Sequence, residues 1–222
     1  RPFTVKEEKL FLMANEADDS ETIVETVKQI LNNCIISEID INKLPIYDFE
    51  YLFLNIRGRS VGESIKLQYR CNNDIPNENE EGTHKCDNLV KLDVNIMEIG
   101  FDKKEKPVGK IEITKDMGMV MKHPSFNIFK EFTDGLNEGD LIVLMTTKCI
   151  DYIYDKDQIY YAKDYTKEEL EEFIDNLQTK DLEKIKEFFE SMPKLAKDID
   201  FKCSKCGYED KIHLEGIDSF FV

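Results

Sequence analysis

The stretch Cys203-Ser204-Lys205-Cys206-Gly207-Tyr208 decides how the rest of this chain is read, because its two thiols offer half the ligands that a tetrahedral zinc site would need. A CxxCG turn offers two thiolates, and a closed structural zinc site takes four ligands. Phe201-Lys202 precede it and the alternation Lys211, Ile212, His213, Leu214 follows, so it reads as a knuckle on a C-terminal β-hairpin. The missing ligands are sought at Cys71 and Cys86, the two rims of a polar loop running from Asn72 to Lys85. Ile65, Leu67 and Tyr69 alternate into Cys71, while Val90, Leu92, Val94 and Ile96 alternate out of Cys86. That is the pattern of a long central β-hairpin with an enlarged tip, which would aim both thiols at one point. Other arrangements stay open: free thiols, a site shared between chains, or His84 or His213 replacing one cysteine. A redox CxxC fits less well, since a thioredoxin-type motif opens a helix and strand-like residues follow this one. The expected site is Cys71, Cys86, Cys203 and Cys206 around a structural Zn2+.

Bulk composition narrows the partners. The chain has 222 residues, enough to bury a core in one domain or two small ones, and 46 acidic residues against 30 basic give a net charge of -16. A nucleic-acid backbone would be repelled, as no basic cluster stands out. The most apolar run, Leu141 to Met145, is too short to cross a bilayer, so no membrane is expected. Six cysteines and no secretory leader fit a reducing compartment. The first residue is Arg1 rather than Met, so the numbering is expected to begin inside a longer gene product.

Working outward, Thr4 and Glu7 form a capping box that starts a helix. A second helix is expected from about Ser20, with Ile23, Val24, Val27, Ile30, Leu31 and Cys34 on one face. A third follows Pro45, capped by Asp48 and stopped near Gly58. Asp102 to Lys106, with Pro107 and Gly109, mark a loop; Ile111 and Ile113 mark a short strand. Met117, Met119 and Met121 recur at intervals of two, either as core or as an adaptable contact surface. Phe126, Phe129 and Phe132 predict a helix from Ser125 ending at Gly135, and the next, from Gly139 or Asp140, carries Leu141 through Cys149 and Ile153. Asp151, Asp155 and Asp157 lack the remaining ligands of a calcium loop and read as a solvated turn. Thr166 and Glu169 cap a helix bearing Leu170, Phe173, Ile174 and Leu177. Another carries Leu182, Ile185, Phe188, Phe189 and Met192 and ends at Pro193. The fold expected is α+β, mostly helical, with the central hairpin and the C-terminal zinc-knuckle hairpin. Its parts are 1–62 (helical), 63–122 (hairpin), 123–198 (helical) and 199–222 (knuckle and tail).

No catalytic constellation accompanies these elements. His84, His123 and His213 have unrelated surroundings, without HExxH spacing or a nucleophile–base pairing, and there is no Walker loop or Rossmann glycine fingerprint. The chain is not expected to be an enzyme.

Several stretches carry a resemblance. RPFTVKEEK at residues 1–9, a helix closing on NNCII at 32–36, and LPIYDFEYLFLNIRGRSVGE at 44–63 are followed by ITKDMGMVMKHPSF at 113–126. FFESMPKL at 188–195, the CxxCG knuckle and LEGIDSFF at 214–221 complete the series. In that order they resemble the baseplate hub protein family of T-even-type bacteriophages. The family's members carry an extended, hairpin-like stretch ahead of RPF that this sequence does not show. The resemblance implies a non-enzymatic structural or assembly component of a contractile-tail baseplate hub, carried in the virion and assembled in the host cytoplasm. Its partners would be other phage baseplate or tail proteins, with a homo-oligomer left open. Alternatives are a zinc-dependent protein-binding module, an assembly chaperone absent from the mature particle, and a metal hydrolase, which would need an open coordination position. Contact surface is expected in the Phe/Met-rich helices and at Phe220-Phe221-Val222.

Overall fold

A computed structural model describes residues 1–16, 20–77, 81–102, 109–131, 137–216 and 219. The connector at 103–108, Phe132, Gly135 and the Phe220-Phe221-Val222 tail lie outside the described residues. The chain opens with α1 (Val5–Glu16), α2 (Ser20–Cys34) and α3 (Ile46–Val61), followed by β1 (Ser64–Arg70), β2 (Asp74–Pro76), β3 (Thr83–Lys85), β4 (Leu89–Asn95) and β5 (Gly100–Phe101). It continues through β6 (Lys110–Glu112), β7 (Gly118–Met121), α4 (Glu138–Cys149), β8 (Ile150–Tyr154), β9 (Ile159–Tyr161), α5 (Lys167–Asp175) and α6 (Thr179–Glu190), and closes with β10 (Leu195–Lys202) and β11 (Glu209–Glu215). The class is α+β. Two compact units share the chain, one made of Arg1–Ile36, Glu50–Asp102 and Lys194–Val222, the other of Ser37–Phe49 and Lys103–Pro193.

In the first unit α1 packs on α2, and the α2 positions Val27, Ile30, Leu31 and Cys34 are buried as their helical spacing predicts. The Glu7 half of the capping box is present: its carboxylate accepts the Thr4 backbone N–H at 2.8 Å, with the Thr4 hydroxyl also donating to it. Glu7 is nearly buried, and the Arg1 guanidinium reaches it at 2.7 Å. Arg1 first, then Thr4, holds this carboxyl far below the usual carboxylate range. The folded value therefore lies below that of the unfolded chain, about 4.3 for a free Glu. The resulting stabilisation is complete above the unfolded value and drains away as pH falls beneath it. Glu7→Gln is expected to lower stability at neutral pH and to flatten the loss of stability between about pH 5 and pH 3. Urea unfolding at each pH checks this, and a slope unchanged from wild type would refute it.

The third helix differs from its expected bounds. It starts at Ile46, directly after Pro45, and Asp48 sits within its first turn instead of capping it. Gly58 does not stop it. A Cβ there would lie 2.7 Å from Met97 Sδ and 3.1 Å from Ile96 Cδ1, so glycine lets the helix lie close against the turn at Ile96–Glu98. The chain leaves the helix at Gly62, whose φ of 144° glycine tolerates without a Cβ clash. Leu54 on this helix joins Ile96, Ile99 and Leu195 in a core flanked by Ile65, Phe101 and Leu214.

β1 pairs antiparallel with β4, from Ser64↔Asn95 to Arg70↔Leu89. β10 pairs with β11, from Ala196↔Glu215 to Lys202↔Glu209, and its other edge takes β5 through Leu195↔Phe101. Between β1 and β4, the short strands β2 and β3 pair with each other.

The second unit is built on the sheet order β6-β7-β8-β9, all antiparallel. Met119 and Met121 are buried among Ile111, Ile128, Cys149, Ile150, Ile174, Ile185, Phe188 and Met192, which makes them core and not contact surface. The expected helix from Ser125 is a 3-10 helix, Phe126–Glu131, with Phe126 buried against Phe49 at a centroid distance of 3.8 Å. The Phe/Met-rich segment thus spends these side chains on its own core. Ile153 lies on β8, because the helix of Leu141 ends at Cys149 and passes straight into the strand at Ile150. The Asp155 carboxylate accepts the backbone N–H groups of Asp157 and Gln158 and the Tyr160 hydroxyl, closing the turn into β9. α5 carries both halves of the Thr166–Glu169 capping box.

Candidate metal centre

Two chain reversals in the first unit face each other, each carrying two cysteines. At the C-terminal one, between β10 and β11, the Cys203 N–H bonds the Tyr208 carbonyl at 2.8 Å and the Gly207 N–H bonds the Cys203 carbonyl at 3.0 Å. Gly207 has φ 75°. The other lies at the tip of the β1–β4 pair and repeats the scheme. There the Cys71 N–H bonds the Asn88 carbonyl at 3.0 Å, the Asp87 N–H bonds the Cys71 carbonyl at 3.1 Å, and Asp87 has φ 52°. Cys71 thus corresponds to Cys203, Cys86 to Cys206, and Asp87 to Gly207, aspartate being among the few residues that enter the left-handed region readily. The segment Asn72 to Lys85 stands where Ser204-Lys205 stand in the other knuckle. It is pinched at its base by the Cys86 N–H on the Asn73 carbonyl, 2.8 Å, so the β2–β3 hairpin grows out of the turn without spreading it.

The four sulfurs meet. Cys71 Sγ lies 3.7 Å from Cys206 Sγ, Cys86 Sγ lies 3.7 Å from Cys203 Sγ, and all four fall within 4.8 Å of one another. A tetrahedron with metal–sulfur bonds of about 2.3 Å has edges of about 3.8 Å. The spacing therefore fits a cation at the centre, whereas a disulfide would need about 2.05 Å and all six cysteines are free. Phe201 is buried beside the cluster, with Tyr69 edge-on to it at 5.0 Å, and Ile75, Val90, Leu92 and Ile212 complete an apolar wall.

The thiols are not equivalent. Burial pushes Cys71 up to about 12 and also raises Cys86. Cys203 is drawn down to about 6 by the backbone N–H groups of Cys206 and Lys205, with the Asn88 amide adding to them. In an apolar pocket four adjacent thiolates repel one another, and a divalent cation among them supplies the opposing charge.

His213 lies on β11, exposed, with Nδ1 2.7 Å from Asp198 and Nε2 3.6 Å from Glu215. His84 bonds Asn77 at 2.7 Å, also exposed. Neither joins the sulfur cluster, and His123 pairs with the Tyr47 hydroxyl in the second unit. Sequence reasoning overlooked Asn73 and Asn88, each two residues past a cysteine, whose side-chain amides reach the sulfurs of the opposite knuckle. The repeated Cys-x-Asn spacing, Cys71-Asn72-Asn73 and Cys86-Asp87-Asn88, was the available signal.

No helix among the described residues is long and apolar enough to cross a membrane. A family model described as T4 bacteriophage base plate protein matches residues 1–222. No curated protein and no solved structure is matched.

Proposed function

The chain belongs to the T4 bacteriophage base plate protein family, and from that premise we propose that it is a structural part of the baseplate hub of a contractile phage tail. It acts through protein–protein contacts on a scaffold clipped by one zinc ion. Membership of a base plate family supports a virion component with other baseplate proteins as its partners. The observation that carries the scaffold reading is the convergence of Cys71 and Cys86 with Cys203 and Cys206, across 135 residues for the Cys71–Cys206 pair. Zinc held by these four thiolates supplies a cross-link and no reaction, since four sulfurs leave it no position for water or substrate. A hub part needs stable, specific contact, and a clip between distant segments reduces the freedom of the unfolded chain.

Quantitative mass spectrometry of purified particles tests the hub assignment. A fixed copy number per tail supports it, and absence from mature particles reassigns the chain to an assembly factor that acts in the host cytoplasm and is then lost. The net charge of -16 adds a second expectation. Association with a basic-edged baseplate partner should slow as salt rises from about 50 to about 500 mM, because the Debye length shrinks over that range. Stopped-flow association rates check it, and rates independent of salt would place the contact on apolar surface.

A further inference from the structure

Each of the two asparagines that follow the β-tip cysteines serves both knuckles at once. The Asn73 carbonyl accepts the Cys86 N–H of its own knuckle at 2.8 Å, while its side-chain Nδ2 reaches Cys206 Sγ of the other at 3.7 Å. Asn88 repeats this: its carbonyl accepts the Cys71 N–H at 3.0 Å, and its Nδ2 reaches Cys203 Sγ at 3.5 Å, with Ser204 Oγ at 3.3 Å. With these cross-turn bonds made, the amides project from a braced turn. Exposed Asn72, between Cys71 and Asn73, makes none of these sulfur contacts among the described hydrogen bonds.

We propose that Asn73 and Asn88 are a matched pair of positioning residues, whose side-chain amides dock the two knuckles onto each other and disperse the negative charge of the metal-bound thiolates. A metal with four thiolates carries a net charge of about -2, in a chain whose own charge is already -16. N–H donors aimed at sulfur lower the cost of holding that charge, and partners of this kind orient the ligands as well. The proposal rests on the metal reading above.

The test uses the full chain loaded with cobalt(II) or cadmium-113. Asn73→Ala and Asn88→Ala are each expected to weaken metal affinity about 10- to 100-fold in chelator competition. Each should also move the sulfur-to-cobalt charge-transfer band to lower energy, because a thiolate without its donor gives up an electron more easily. Asn88→Asp keeps the shape, removes the N–H and adds a charge, so it should bind more weakly still. Asn72→Ala should behave as wild type. In wild-type protein, cadmium-113 should show coupling to the Asn73 and Asn88 side-chain amide protons, which needs no variant to fold. If wild type binds metal normally but the variants match it in affinity and spectrum, or the couplings are absent, the asparagine proposal falls and the metal reading stands. If wild type takes up no cobalt or cadmium, both fall.

Discussion

Cys203→Ser is expected to leave the chain without stoichiometric zinc and to cost its first unit about 4 kcal/mol or more, a fall in melting temperature of roughly 10 °C. Cys203 is 1% exposed, lies 3.7 Å from Cys86 Sγ, and has its thiol drawn down by the backbone N–H groups of Cys206 and Lys205, so its loss removes a sulfur already inclined to ionise. What remains is three thiols against an apolar wall, with no cation to hold β10 and β11 to the tip of β1 and β4. Metal analysis and thermal unfolding check this. Cys34→Ser and Cys149→Ser are the controls, since both residues are buried but lie outside the cluster, and both should retain one zinc per chain. A chelator should raise hydrogen exchange in β1, β4, β10 and β11 while leaving β6 to β9 protected. Full zinc retention and an unchanged melting temperature in Cys203→Ser would sink the metal reading.

Ile185→Ala is expected to destabilise the second unit by about 2–5 kcal/mol without changing metal content. Ile185 on α6 is fully buried in the core shared with Met119, Ile150, Ile174 and Phe188. Removing its outer methyl groups leaves a cavity that the sheet beneath, pinned by pairing on both sides of β7 and β8, is poorly placed to fill. Urea unfolding followed by exchange in β6 to β9 gives the readout. A loss under 1 kcal/mol would mean that this core collapses around the gap more freely than its packing suggests.

Certain elements were legible because their signals are local. The stripe Val27, Ile30, Leu31, Cys34 and the pair Thr166–Glu169 each act within one or two helical turns, so no distant residue is needed to read them. The alternation around Cys71 and Cys86 was legible for the same reason, since a strand states its two faces residue by residue. Gly58 misled because a glycine that ends a helix and one that admits a neighbour look alike in sequence; only Met97 at 2.7 Å from its missing Cβ distinguishes them. Ile153 misled because its apolar spacing continues that of Leu141 to Cys149, while pairing with Met119 and Tyr160 draws it into a strand.

The sequence by itself determined the helices with strong stripes, the acidic surface and the four cysteines fit to hold a metal, since these depend on side-chain chemistry and on spacings of a few residues. Only the tertiary structure decided that three separated segments build one unit, that a β2–β3 hairpin fills the place of two knuckle residues, and that Asn73 and Asn88 reach across to the opposite sulfurs. The reason is physical: the asparagine contacts join residues more than a hundred positions apart, and the β2–β3 hairpin forms where its pairing is set by the turn it grows from, so in neither case does a spacing of a few residues encode the outcome.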